Sequence, residues 1–338
     1  MEPRQLDATG RLWSPGVKDG VAPGSPFHLT EYFGPVLGLM SADSLGHAIE
    51  LQNATPYGLT AGLFSLDPGE LARWCDSVEA GNLYINRGTT GAIVRRQPFG
   101  GWKRSSVGAG TKAGGPNYLV GLTNWVARPS TATAEIGPAA ASLLAAARSA
   151  GLGNVDMISR ALRSDALAWA SEFGTARDVS GLEAERNVLR YRPHAVEVRL
   201  ASDSVAELVR VVAAGLTAGG GSGAGVVVSS AVSLPAPVER AFAACGVSWL
   251  VEDRASWEDR LRALPGGRVR LIGGDASQLY DAVDGRPDIA IYAGDVTESG
   301  RVEMLPFLRE QAISITAHRF GTPHRLAYDF GDLGPSGV

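Results

Sequence analysis

Tyr191-Arg192-Pro193-His194-Ala195-Val196-Glu197-Val198-Arg199-Leu200, followed closely by Ser204-Val205-Ala206-Glu207-Leu208-Val209-Arg210-Val211-Val212, changes its hydrophobic period partway along. Val196, Val198 and Leu200 alternate with charged neighbours, so 191–200 reads as one strand. Val205, Leu208, Val209 and Val212 then return at helical spacing, and Ser204 with Glu207 reads as a capping box at the start of that helix. The same alternation continues downstream. Strands are expected at 225–229, 247–251, 269–272 and 289–293, with helices starting at Pro237, at Ser256 and near Ser277. Strands and helices in strict alternation imply a parallel sheet with helices on both faces.

Working outward, alanine-rich helices are expected over 139–150 and 156–173, and the composition shift at Arg128-Pro129-Ser130-Thr131-Ala132-Thr133 marks a boundary. Before it, Ser41 is read as the cap of a helix whose apolar face includes Leu45, Ala48 and Ile49, and 60–65 as a strand. Asp67-Pro68-Gly69-Glu70 carries the acceptor, the first-turn proline and the acid of a strong helix start. Leu71, Trp74, Cys75 and Val78 follow at helical spacing, which puts Cys75 on the buried stripe. A short buried strand over 82–86 leads into a glycine-dense stretch from Arg87 to Pro116, whose Ile93, Val94, Phe99 and Trp102 argue for an ordered loop.

The 338 residues, with 45% apolar and 20% charged, are those of a globular α/β protein, and a net charge of −4 gives no footprint for nucleic acid. No window reaches the roughly 18 uncharged apolar residues of a spanning helix, and the first ten residues lack an apolar stretch. The cytoplasm is therefore the expected location. The two cysteines make no disulfide framework and share no metal-ligand spacing, so no metal is expected.

Two constellations carry chemistry. In Glu31-Tyr32-Phe33-Gly34-Pro35-Val36 an acid and an aromatic stand two apart before a turn; the carboxylate can accept hydrogen bonds from a diol while the ring packs on a flat heterocycle. From those residues alone, a loop glutamate beside a core phenylalanine is the favoured reading. In Arg87-Gly88-Thr89-Thr90-Gly91-Ala92-Ile93-Val94-Arg95-Arg96-Gln97-Pro98-Phe99-Gly100-Gly101 the small residues Gly91 and Ala92 let backbone N–H groups approach an anion. Arg95 and Arg96 are read as solvated.

These stretches, continuous from Trp13 to Trp125, resemble the C-terminal part of the aldehyde dehydrogenase superfamily, and among its members the NAD-dependent glutamate-semialdehyde (1-pyrroline-5-carboxylate) dehydrogenases of long bifunctional proline-oxidising enzymes. The resemblance implies that Glu31 holds the nicotinamide ribose, that Phe33 lines the nicotinamide pocket, that Gly91 and Ala92 bind the substrate carboxylate through the backbone, and that Phe99 packs on the aliphatic part of glutamate semialdehyde. It also implies a Rossmann-like aldehyde-dehydrogenase-superfamily domain downstream, with a terminal motif over 301–324 associated with covering a tunnel between active sites. The expected fold is therefore α/β, with 1–127 the C-terminal segment of the catalytic domain, 128–185 linker and helices, and 186–330 the Rossmann-like domain.

No catalytic residue is assigned. The family's nucleophilic cysteine and base precede its E-x-F-G-P motif, and no cysteine precedes Glu31 here. NAD is the expected cofactor of the complete enzyme; FAD belongs only to a proline dehydrogenase domain that is not expected in this sequence. Gly219-Gly220-Gly221-Ser222-Gly223 follows a helix and precedes a strand, the wrong polarity for a phosphate fingerprint, and Ile272-Gly273-Gly274-Asp275 is an ordinary turn. Two readings compete: part of an enzyme that depends on an upstream polypeptide or on a homo-oligomer, and a non-catalytic oligomerisation or tunnel-lid module. A dehydrogenase of another substrate class is disfavoured by Gly91 and Ala92.

Overall fold

The computed structural model describes residues 1–123, 125–126, 128–329 and 333. The expected boundaries at 127 and 330 fall on residues outside the described ones. Two five-stranded sheets organise the chain. The first contains β1 (Thr60–Leu63), β2 (Asn82–Ile85), β3 (Arg177–Asp178), β4 (Glu185–Pro193) and, from much later in the sequence, the strand Leu308–Thr316. The second contains β5 (Val196–Leu200), β6 (Val226–Ser230), β7 (Ser248–Val251), β8 (Gly267–Ile272) and β9 (Ile289–Tyr292). Leu308–Thr316 is then β10.

In the second sheet the order is β7-β6-β5-β8-β9, and every pairing is parallel. The first strand in sequence thus lies at the centre, and the order reverses between β5 and β8, the doubly wound arrangement expected from the alternating pattern. Helices α3 (Pro138–Ser149), α4 (Val155–Ala168), α5 (Val205–Ala218) and α6 (Ala236–Cys245) share one apolar core with β5 and β6. Helices α7 (Arg254–Ala263) and α8 (Ala276–Ala282) share a separate core with β8 and β9, as an opposite face requires. The first sheet packs against α1 (Leu45–Asn53) and α2 (Pro68–Ser77), with Ile49, Leu71, Trp74, Leu83, Ile313 and Ile315 in its core.

The span 191–200 is two strands, one in each sheet. Pro193 ends the ladder of β4, having no N–H to extend it, and the His194 N–H turns to the Phe307 carbonyl at 2.8 Å. Alternation continues through the break in sequence, which is why it gave no warning. Two caps also differ from expectation. The cap of α1 is Ser44, whose hydroxyl accepts from the His47 N–H, because the capping residue must directly precede the first helical one and the helix starts at Leu45. Ser204 makes no side-chain cap bond, since its ψ of 76° departs from extended cap geometry. Asp67 caps as expected, accepting from the Gly69 and Glu70 N–H groups. Its own N–H donates to the Ser65 hydroxyl at 3.0 Å, which in turn donates to the Glu70 carboxylate at 2.6 Å.

Helix α5 is buried almost all round and carries a charge inside. The Arg210 guanidinium donates to both carboxylate oxygens of Asp165 on α4, at 2.7 and 2.9 Å, and to the Thr297 carbonyl at 2.9 Å; both side chains are 0% exposed. Removing one partner strands the other without water. We expect Arg210→Leu to lower unfolding stability by about 3–5 kcal/mol, and the double variant with Asp165→Leu to regain much of that loss, as read by urea denaturation.

Candidate functional site

Strand β2 delivers the glycine-dense loop. All four of its residues are buried, and Asn86 just beyond it adopts a φ of 56°, stabilised by its amide bonding to the Ser65 N–H and carbonyl. The following loop is pinched at its base, where the Ile93 and Gln97 backbones exchange hydrogen bonds of 3.2 and 2.7 Å around Arg95, itself at φ 66°. The Gln97 side chain, 3% exposed, points inward and donates to Asn187 Oδ1 on β4 at 3.1 Å and to the Ser314 hydroxyl on β10 at 2.9 Å. Glu185 on β4 accepts from Arg87 and pairs with Arg96. The reading of Arg96 as solvated is therefore corrected, because a buried carboxylate lies within its reach, whereas Arg95 is exposed.

Gly91 stands above this base. Its carbonyl accepts from the Tyr84 hydroxyl at 2.6 Å, and burial holds that phenol above its ordinary pKa, so it stays a donor. Its φ is +130°, and a Cβ there would sit 2.7 Å from Gln97 Oε1, a buried oxygen with no partner among the described residues. Backbone shape and space both demand glycine. Neither the Gly91 nor the Ala92 N–H donates within the described residues, and both residues are exposed. Both N–H groups are therefore open to a further acceptor.

Phe99 is half-buried on a turn clamped from the other side. It exchanges backbone hydrogen bonds with Ala113, while Asn82 receives the Gly100 N–H at 3.1 Å and donates to the Pro98 carbonyl at 2.9 Å. Lys112, 3% exposed, donates to Asn82 Oδ1 at 2.9 Å and to the Gly100 carbonyl, and its own N–H donates to Glu310 on β10 at 2.8 Å. Burial lowers the Lys112 amine to about 7, with the Glu310 charge pulling the other way. Gln97, Asn187, Ser314, Asn82, Lys112 and Glu310 were not singled out from sequence. No spacing could have found them, since Gln97 and Ser314 lie 217 positions apart.

The other stretch is open. Glu31 is exposed, Phe33 is 99% exposed, and Tyr32 stacks on Phe27 at 4.9 Å. Val36–Gly38 then pairs in parallel with Gly16–Lys18. Gly91, Ala92 and Phe99 share one loop system, but among the described residues no hydrogen bond or ring contact links them to Glu31 or Phe33, and none of these five residues lines the cavities of about 440 and 490 Å³. Both cysteines are poor nucleophiles. Burial pushes the Cys75 thiol up to about 12 and raises that of Cys245 as well. Among the described residues no group of three or more acidic, histidine or cysteine side chains is placed to hold a metal, and no helix is long and apolar enough to cross a membrane.

One mixed and one parallel sheet, a buried strand feeding a glycine loop and the Glu31–Val36 turn accompany a sequence match: residues 2–127 match the sequence model of the aldehyde dehydrogenase family. The curated relatives include a 1-pyrroline-5-carboxylate dehydrogenase from Geobacillus sp. (strain WCH70), 43% identical over 114 residues, and one from Bacillus subtilis (strain 168), 40% identical. The matched part is 34% of this chain and 22% of each relative, so the chain spans about a fifth of the length of the relatives it matches. Among solved structures, Proline Utilization A from Corynebacterium freiburgense superposes with a TM-score of 0.74 at 39% identity, over 95% of this chain and 29% of that one. The likeness to that structure therefore extends through the second sheet.

Two outcomes check this geometry. Gly91→Ala is expected to lower stability by about 1–3 kcal/mol in urea denaturation, from left-handed strain and the clash with Gln97. For Lys112 the native amine titrates near 7 while a solvated lysine titrates near about 10.4. The unfolded chain thus binds more protons between those values, and stability rises with pH across that window. Denaturation midpoints between pH 7 and 10 should climb less in Lys112→Met than in the wild type.

Proposed function

We propose that this chain supplies the nicotinamide-ribose and substrate-carboxylate contacts of an NAD-dependent glutamate-semialdehyde dehydrogenase, oxidising glutamate semialdehyde to glutamate in proline catabolism. The observation that carries the reading is the pair of unengaged N–H groups at Gly91 and Ala92, held on a loop that only glycine can shape. They grip the substrate carboxylate, and the half-buried ring of Phe99 packs on the aliphatic carbons next to it. The exposed Glu31 carboxylate, free to accept from a diol, takes the ribose hydroxyls, and the open Phe33 ring packs on the nicotinamide. NAD, when bound, accepts the hydride.

The thiolate that attacks the aldehyde belongs to a polypeptide segment outside this sequence, covalently joined or separately made. Neither Cys75 nor Cys245 is poised for it, since desolvation raises the pKa of the buried Cys75 and of the partly buried Cys245 and disfavours the thiolate in both. The exposed apolar run of Val36, Leu37 and Leu39 is where that segment packs. We place the protein in the cytoplasm, where its two free thiols stay reduced.

A second reading rests on β10. That strand ties the first sheet to the chain beyond the second one, as an assembly or tunnel-covering module requires.

The purified chain is expected to form no NADH from glutamate semialdehyde and NAD above a Cys75→Ala control, measured by absorbance; activity that Cys75→Ala abolishes would overturn the assignment of the nucleophile elsewhere. In a full-length dehydrogenase that includes this segment, Phe99→Ala should raise KM for the semialdehyde by about tenfold, the worth of a partly lost apolar contact. The Kd for NAD should stay nearly unchanged, and an equal loss of both would count against the anchor role.

A further inference from the structure

A cavity of about 490 Å³ lies where the segment following the Phe99 turn meets the edge of the second sheet. Its walls include Trp102, Lys103 and Arg104 on one side and His194, Arg268 and Arg309 on the other. Trp102, Arg268 and Arg309 also line the neighbouring cavity of about 440 Å³, so they form the partition between the two. Volumes of this size, within the roughly 300–1,000 Å³ of small-molecule sites, are common for ligands.

The charges in this cavity are unbalanced. Four cationic residues line it against one carboxylate, Asp288, which is already held bidentately by Arg286 at 2.7 and 3.0 Å. Lys103 pairs with Glu79 at 2.7 Å. The three arginines make no salt bridge among the described residues. The exposed Arg104 rests on the Tyr57 ring, and Arg268 donates to the carbonyls of Pro306 and Leu308 at 2.8 and 2.6 Å. The Arg309 guanidinium lies 3.8 Å over the Trp102 ring and makes no hydrogen bond among the described residues; its Nε is buried without a partner. A largely buried guanidinium without an acceptor is costly, and its planar fork matches the paired oxygens of a carboxylate or phosphate.

We propose that this cavity binds a small polyanion bearing carboxylate or phosphate groups, gripped by the Arg309 fork and the Arg268 guanidinium. His194 reports on the same field. Burial, followed by the charges of Arg268 and Arg309, lowers its imidazole to about 4, so an anion seated between the arginines must raise it. The site is independent of the dehydrogenase reading, because none of Glu31, Phe33, Gly91, Ala92 or Phe99 lines it.

The experiment titrates the whole chain with inorganic phosphate and, separately, with glutarate at constant ionic strength, with chloride as control, using calorimetry and the His194 ring resonances. Saturable binding of either anion, with an upward move of the His194 midpoint, is the expected result, and the tighter of the two names the ligand class. Arg309→Met should abolish the effect. Arg309→Lys, which keeps the charge but loses the fork and so guards against a folding defect, should bind about tenfold more weakly. Failure of both anions to saturate, or undiminished binding by folded Arg309→Lys, would overturn the proposal.

Discussion

Strand β10 has to be satisfied on both edges at once. It pairs in parallel with β2 on one side, Ile313 facing Leu83, and antiparallel with β4 on the other along nine residues. Its apolar side chains Ile313 and Ile315 complete the core that α1 and α2 cover. Its polar side chains Glu310 and Ser314 hold the two turns of the glycine loop through Lys112 and Gln97. The two-residue repeat of a strand makes this division of labour possible: one face packs, and the other positions chemistry.

From that arrangement the character of the candidate site follows. The loop around Gly91 is long and glycine-rich, yet each of its weak points is fixed by buried polar groups: Tyr84 beneath Gly91, Gln97 on Asn187 and Ser314, and Asn82 and Lys112 around Phe99. Such groups must be fully partnered to be tolerated inside. Where one is left over, as at Gln97 Oε1, it lies against the glycine whose backbone faces out. The stretch at Glu31 has no comparable support among the described residues and presents its side chains to solvent.

Much of this was legible from sequence where the determinants are local. The alternating strands and helices after residue 200 fell within a few residues of their places, because period and caps are written in neighbouring side chains. The Asp67 cap and the buried Cys75 followed for the same reason. What was not legible is pairing at a distance. Nothing in Leu308–Thr316 says that it neighbours Asn82–Ile85, and nothing in Gln97 says that Asn187 and Ser314 await it. The break at Pro193 was hidden because both halves keep a strand-like period while belonging to different sheets. Arg309 looked like one more charge in a terminal motif, and only its isolation over Trp102 distinguishes it.

The central placement of β10 also bears on how the protein is made. A ribosome extrudes β1 and β2 long before it reaches residue 308, so the nascent first sheet spends most of synthesis with the inner edge of β2 bare. Contacts of such high sequence separation form slowly, and a bare strand edge invites pairing with another chain. The doubly wound second sheet, whose strands neighbour one another in sequence, is free to close first and to act as the scaffold onto which the earlier-made third of the chain is finally fastened.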